Sequence, residues 1–347
     1  MTNYRQLDST ARELVAPGKG ILAADESTAT MSKRLGAVGV ESTLSARTEF
    51  RELLVSTSAL AEAISGVILY DETFGSRTAD GPRFPATVVD AGMMPGIKVD
   101  TGAKPLAGAP GEQVTEGLDG LRERLADYRA GGARFAKWRA VIRIDGRLPS
   151  SACLVANAHA LARYAALCQE QELVPIVEPE VLMDGDHTIE RCEHVTGEVL
   201  RCVYGALEEQ AVRLEATLLK PNMVLPGVDC PAQVDVEEVA DATLRCLRRS
   251  VPAAVPGIAF LSGGQEDELA TERLNAMNSS GGGAPWELSF SYGRALQAGA
   301  LATWRGEPVN REPAQGALLH RARCTAAARR GEYSPALERE TVLAPST

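Results

Sequence analysis

The sequence predicts an α/β protein, a single-domain TIM (β/α)8 barrel, and three observations carry that prediction. Eight short, almost continuous apolar runs recur along the 347 residues. Their starts lie roughly 30 to 45 residues apart, which leaves room for a strand, a loop and a crossover helix. Runs this apolar suit strands buried on both faces, as parallel sheets require, and polar residues gather at their ends, where barrels carry chemistry.

In chain order the runs cover residues 20–24 (Gly-Ile-Leu-Ala-Ala), 66–70, 96–99, 134–138, 173–177, 216–220, 257–261 and 288–291. Amphipathic helices are expected over 114–130, 153–171, 192–213 and 236–249. In the second of these, Leu154, Ala158, Leu161, Ala165 and Cys168 line one face at helical spacing. Asp235-Val-Glu-Glu238 reads as a capping box that opens the last. Residues 279–285, Ser-Ser-Gly-Gly-Gly-Ala-Pro, read as a flexible connector before the eighth run. No Gly-x-Gly-x-x-Gly follows the first run, which disfavours the competing doubly wound open sheet. No repeat or linker divides the chain, so one domain is expected over residues 1–335, followed by a flexible tail over 336–347.

Composition narrows the function. The 45% hydrophobic and 24% charged fractions are those of a soluble globular protein, and no apolar run approaches the ~20 residues of a membrane span. The first residues contain no apolar leader, so a cytoplasmic location is expected. Seven scattered cysteines without a Cys-x-x-Cys pair read as reduced thiols in a core. A net charge of −10 argues against nucleic acid as a partner, so the charge of any anionic ligand must be met locally.

Only six of the 36 basic residues are lysines, and three of them, Lys98, Lys137 and Lys220, fall on the apolar runs. A guanidinium is a very poor nucleophile, whereas a desolvated lysine can lose its proton and attack a carbonyl. A lysine on a buried strand must be neutral, paired with an acid, or both, and Asp25, Glu178 and Glu180 end neighbouring runs. The alternative for this group is an ion-pair network that only holds the barrel together. Ser262-Gly-Gly-Gln265 after the seventh run, and Ser291-Tyr-Gly-Arg294 after the eighth, read as a phosphate site, because barrel enzymes often hold phosphate on these loops. The four histidines, His159, His187, His194 and His320, do not converge as three imidazoles on a catalytic zinc and read as satisfied surface or helix residues.

Six motifs now carry a resemblance. Pro17-Gly-Lys-Gly-Ile-Leu-Ala-Ala-Asp-Glu-Ser27, Phe135-Ala-Lys-Trp-Arg139, Val174-Pro-Ile-Val-Glu-Pro-Glu180, Leu218-Leu-Lys-Pro-Asn-Met223, Leu261-Ser-Gly-Gly-Gln265 and Phe290-Ser-Tyr-Gly-Arg-Ala-Leu296 resemble, in order, the class I fructose-bisphosphate aldolases. The resemblance implies reversible aldol cleavage of fructose 1,6-bisphosphate through a Schiff base on Lys220, in glycolysis and gluconeogenesis, without a cofactor or metal. It implies that Glu178 shuttles protons, that Asp25 takes the C4 hydroxyl proton, and that Lys137 with Glu180 tunes that traffic. Ser262, Gly263 and Arg294 would hold the C1 phosphate, and Ser291 and Gly293 would be among the substrate- and phosphate-binding residues. Lys98, Ser27, Thr30 and Arg34 would meet the C6 phosphate, and Arg139 would support the site. The family is typically a homotetramer acting on phosphorylated sugars. This sequence departs from the animal members in ending Val342-Leu-Ala-Pro-Ser-Thr347, with Tyr333 its last tyrosine, so the resemblance assigns no enamine proton donor. Ala216 and Thr30 stand where glycine and serine are common. Three alternatives are open to test: a Schiff-base barrel acting on a monophosphate, a zinc-dependent aldolase, and a catalytically silent barrel.

Overall fold

A computed structural model of the chain describes residues 2–79, 81–280 and 283–339. Its strands are β1 (Gly20–Ala24), β2 (Ile64–Leu69), β3 (Met94–Lys98), β4 (Gly102–Pro105), β5 (Gln113–Glu116), β6 (Phe135–Ile142), β7 (Val174–Val181), β8 (Leu218–Leu219), β9 (Gly257–Phe260) and β10 (Glu287–Tyr292). All but β4 and β5 close into one parallel barrel, in the order β1-β10-β9-β8-β7-β6-β3-β2. Each predicted apolar run supplies one barrel strand. The runs understate β6 and β7, which stay paired in register from Phe135 with Val174 to Ile142 with Val181, because polar residues needed at the rim interrupt the apolar pattern.

The helix expected from residue 114 is corrected. Gln113–Glu116 pairs antiparallel with Gly102–Pro105, Gly117 (φ 127°) and Gly120 (φ 64°) follow, and the helix begins only at Leu121. Thr115 fixes this hairpin to the barrel by donating from its hydroxyl to the Arg139 carbonyl at 2.8 Å. The other expected helices occupy Ser151–Glu170, Ile189–Glu209 and Val236–Ser250. Asp235 accepts from the Glu238 amide at 2.9 Å, as the capping sequence requires. Of the expected connector, Ser279 closes the helix Asp267–Ser279, while residues 281 and 282 lie outside the described residues. Of the expected tail, Leu337–Arg339 forms a 3-10 turn, and residues 340–347 lie outside the described residues. No helix among the described residues is long and apolar enough to cross a membrane. None of the seven cysteines is in a disulfide, and all but Cys202 are buried.

Side-chain alternation along the strands builds two cores. Ile21, Ala23, Ile68, Phe135, Val174, Ile176, Leu218 and Ala259 form the inner cluster, joined by Leu7, Ala11 and Leu14 of the helix Tyr4–Leu14. Intervening residues such as Leu22, Val67, Ile97, Trp138, Val177, Leu219 and Ile258 belong to the outer cluster against the helices. The Phe135 ring sets a size limit inside the barrel. A Cβ added to Gly96 would lie 2.3 Å from it, and one added to Gly66 would lie 2.9 Å from it. Continuing the inward alternation up each strand reaches Asp25, Lys98, Lys137, Glu178, Glu180, Lys220 and Ser291, so the layer above the apolar plug is polar.

Candidate active site

That polar layer floors an open basin of about 640 Å³ at the C-terminal ends of the strands. Asp25, Lys137, Glu178, Glu180, Lys220, Ser262, Gly263, Ser291, Gly293, Arg294, Lys98, Ser27, Thr30, Arg34 and Arg139 all line it. The closed barrel brings together residues that are as far apart in sequence as Asp25 and Arg294.

Four buried groups form a chain at its centre. Lys220 Nζ lies 3.1 Å from Glu178 Oε1, Glu178 Oε2 lies 3.0 Å from Lys137 Nζ, and Lys137 Nζ lies 2.7 Å from Asp25 Oδ2. Burial alone would raise the pKa of Asp25, but the ammonium groups of Lys137 and Lys220 outweigh it and hold the carboxyl well below the usual range. At Glu178 burial also pushes up, and Lys137, Lys220 and Arg139 bring the net shift below the ordinary value. Lys137 shows the converse: burial pulls its pKa down, and Asp25 and Glu178 carry it above an ordinary lysine. The lowering that burial suggests for a strand lysine is therefore reversed at Lys137, which stays charged between two carboxylates.

Glu180 is not part of that chain. Arg139, whose side chain is 43% exposed to the basin, donates from Nε to Glu180 Oε2 at 2.5 Å. Burial lowers the Arg139 pKa and Glu180 raises it, with a net rise.

Two further groups of residues suit anions. After β9, Gly263 (φ 55°) and Gly264 (φ 93°) turn the chain in a conformation that favours glycine, and a Cβ on Gly263 would meet Leu261 at 2.9 Å. Gly293 opens the helix Arg294–Trp304 without a side-chain cap, so its first amides are available to an anion. Arg294 Nη2 donates to the carbonyls of Gly264 and Gln265 at 2.6 and 2.8 Å, which joins the β9 and β10 loops. The second group combines Lys98, Arg34, Ser27 and Thr30. Ser27 caps the helix Thr28–Ala37, its hydroxyl lies 3.2 Å from that of Thr30, and Lys98 pairs with Asp100 at 2.7 Å.

Sequence reasoning missed the supports of this second group. Glu26 pairs with Arg34 and accepts from Gln297 Nε2 at 2.8 Å. Arg51 pairs with Glu26 at 2.7 Å and donates to the Ala24 and Glu26 carbonyls. Asp100 also receives the Gly102 amide at 3.2 Å and the Arg139 amide at 3.3 Å. Glu26 was signalled only by adjacency to Asp25, and nothing local marks Arg51 or Gln297. The expectation for the histidines is corrected at His187, which is buried in the loop before the helix Ile189–Glu209 rather than lying on the surface or in a helix. Burial lowers its pKa, and a backbone hydrogen bond with Leu225 opposes that shift.

A family model described as fructose-bisphosphate aldolase class-I matches residues 6–344. The probable fructose-bisphosphate aldolase class 1 of Xanthomonas campestris pv. campestris is 56% identical over 332 residues, 95% of this chain and 99% of that protein. Fructose-bisphosphate aldolase B of Gallus gallus is 51% identical over 343 residues, 99% of this chain and 94% of that one. Among solved structures, the fructose-bisphosphate aldolase of Plasmodium falciparum, in complex with TRAP and a small-molecule inhibitor, superposes with a TM-score of 0.94. It is 47% identical, over 95% of both chains.

Proposed function

The chain belongs to the class I fructose-bisphosphate aldolase family, which consists of lyases, and from that membership we propose that it cleaves fructose 1,6-bisphosphate reversibly through a Schiff base on Lys220. The products are dihydroxyacetone phosphate and glyceraldehyde 3-phosphate. The observation that carries this reading is a buried lysine at the end of β8 with a carboxylate 3.1 Å from its amine.

At that distance Glu178 can take the proton that Lys220 must lose before it attacks the C2 ketone. Glu178 then returns a proton to the C2 hydroxyl of the carbinolamine, which leaves as water. Asp25 accepts the C4 hydroxyl proton while the C3–C4 bond breaks. The bonding electrons flow into the iminium, which becomes an enamine, and glyceraldehyde 3-phosphate departs. Lys137, between Asp25 and Glu178, offsets the negative charge of whichever carboxylate is ionised. Protonation of the enamine at C3 and hydrolysis of the imine release dihydroxyacetone phosphate.

Ser262, Gly263, Ser291, Gly293 and Arg294 receive the C1 phosphate in this reading, and Lys98, Ser27, Thr30 and Arg34 the C6 phosphate. Arg139 and Glu180 support the wall between them. The kinship with fructose-bisphosphate aldolases supports the reaction; its place in glycolysis and gluconeogenesis, in the cytoplasm and in a homotetramer, belongs to the same reading and rests on the family resemblance. Borohydride reduction in the presence of dihydroxyacetone phosphate tests the mechanism. The expected result is a covalent adduct on the peptide containing Lys220, absent in Lys220→Met; an adduct on another lysine, or none, refutes it.

A further inference from the structure

We propose that His320, Cys324 and Glu338 form a binding site for a zinc-type divalent cation, separate from the basin, that fastens the C-terminal turn to the helix Arg311–Arg329. One ligand atom from each of the three lies within 4.8 Å of the others, and none of the three residues lines the basin. His320 and Cys324 are four residues apart on that helix and so share one face. Glu338 comes from the turn Leu337–Arg339.

The spacing fits the coordination. Zinc bonds of about 2.05 Å to nitrogen, 2.1 Å to oxygen and 2.3 Å to sulfur put tetrahedral neighbours about 3.4 to 3.6 Å apart. His320 Nε2 lies 3.7 Å from Cys324 Sγ and 3.8 Å from Glu338 Oε2. Two tetrahedral edges are thus set to within a few tenths of an ångström, and water completes the fourth position.

The carboxylate is also held in place from behind. Arg321 grips both its oxygens, at 2.7 and 2.8 Å, and the Tyr333 hydroxyl donates to Oε1 at 2.8 Å. Hydrogen bonds of this kind orient a ligating carboxylate, and Oε2, which accepts one of them from Arg321, has a second lone pair for a metal. The His320 and Glu338 side chains are 25% and 14% exposed, which leaves an entry path. A set of nitrogen, sulfur and oxygen donors favours a borderline-soft ion over magnesium or calcium. Binding replaces the thiol proton by the metal: Cys324 becomes a metal-bound thiolate and one proton passes to solvent. A catalytic zinc on three imidazoles was not expected from the sequence, and this site needs only one imidazole.

Cobalt(II) titration of the full chain tests the proposal, because cobalt bound to a thiolate gains a charge-transfer absorption in the near ultraviolet. The band is expected to saturate at one equivalent, to be displaced by zinc, and to vanish in Cys324→Ser. His320→Ala should weaken cobalt binding by at least about tenfold, with aldol cleavage and circular dichroism unchanged in both variants, since neither residue lines the basin. Glu338→Gln should weaken it similarly. Because that change also touches the Arg321 contact, Cys324→Ser and His320→Ala are the decisive variants. No band at one equivalent, or a band unchanged in Cys324→Ser and His320→Ala and so held by another of the cysteines, overturns the site.

Discussion

Glu178 is the residue on which the central chain turns, because its two oxygens face different lysines at 3.1 and 3.0 Å. Glu178→Gln keeps the shape and removes the base. Turnover should fall by about two to four orders of magnitude with little change in KM, measured by coupled assay. Lys137→Met removes the cation that sits between Asp25 and Glu178 and leaves Asp25 without its direct ion-pair partner, so a loss of about 3–5 kcal/mol is expected in denaturant unfolding. The pH dependence has a definite sign. Asp25 and Glu178 have lowered pKa values in the folded state, so their contribution to stability is present above the ordinary carboxylate values and is lost as pH falls through the folded ones. Lys137 is raised, so its contribution is complete below the ordinary lysine value of 10.5 and is lost as pH rises through its folded value. Unfolding free energy measured against pH should therefore fall on the acid side, first as His187, whose pKa is lowered, takes up a proton below its ordinary value of 6.5 and then as the carboxylates do, and the carboxylate part of the fall should shrink in Lys137→Met. At this scale Asp25, Lys98, Lys137, Glu178 and Lys220 were legible, since each is a charge on an otherwise apolar run. Glu26 and Arg51 were not, because their pairing at 2.7 Å joins the end of β1 to a helix about 25 residues away in the chain.

The strand elements owe their fit to residues of opposite size. Phe135 occupies the barrel axis beside Gly66 and Gly96, and Gly96→Ala would bring a methyl within 2.3 Å of its ring. That substitution should destabilise by about 1–3 kcal/mol, and Phe135→Leu in the same chain should restore part of the loss in thermal melts. Asp235→Ala, which removes the 2.9 Å cap bond on the helix Val236–Ser250, should cost about 1 kcal/mol without altering turnover. Strand existence was readable from apolar runs and helix starts from caps. The β4–β5 hairpin was not, because Val114 and Thr115 continue smoothly into a helical pattern. Only pairing with residues 102–105 selects the extended backbone there.

Closure of the barrel, with β1 beside β10, turns scattered strand ends into one basin. A substrate with a phosphate at each end should use both groups of anion-binding residues. Arg34→Ala or Lys98→Ala should lower kcat/KM for fructose 1,6-bisphosphate by about 10- to 100-fold while affecting fructose 1-phosphate much less, because each removes a charge-assisted contact to one end only. Cleavage should persist after dialysis against a chelator, since the proposed electron sink is an iminium on Lys220. Complete loss under chelation would point to a metal-dependent aldolase instead.

The sequence by itself determined the fold class, the eight strands and the polar residues at their ends, because strand periodicity and an apolar run broken by a charge are local features of the chain. Tertiary structure alone decided which charges meet and which polar groups are enclosed. Glu180 pairs with Arg139 rather than with Lys137, Glu26 is gripped by Arg34 and Arg51, and the His187 ring is buried in its loop. Such placements depend on distances across a closed barrel, and those distances follow from register, tilt and packing summed over the whole chain.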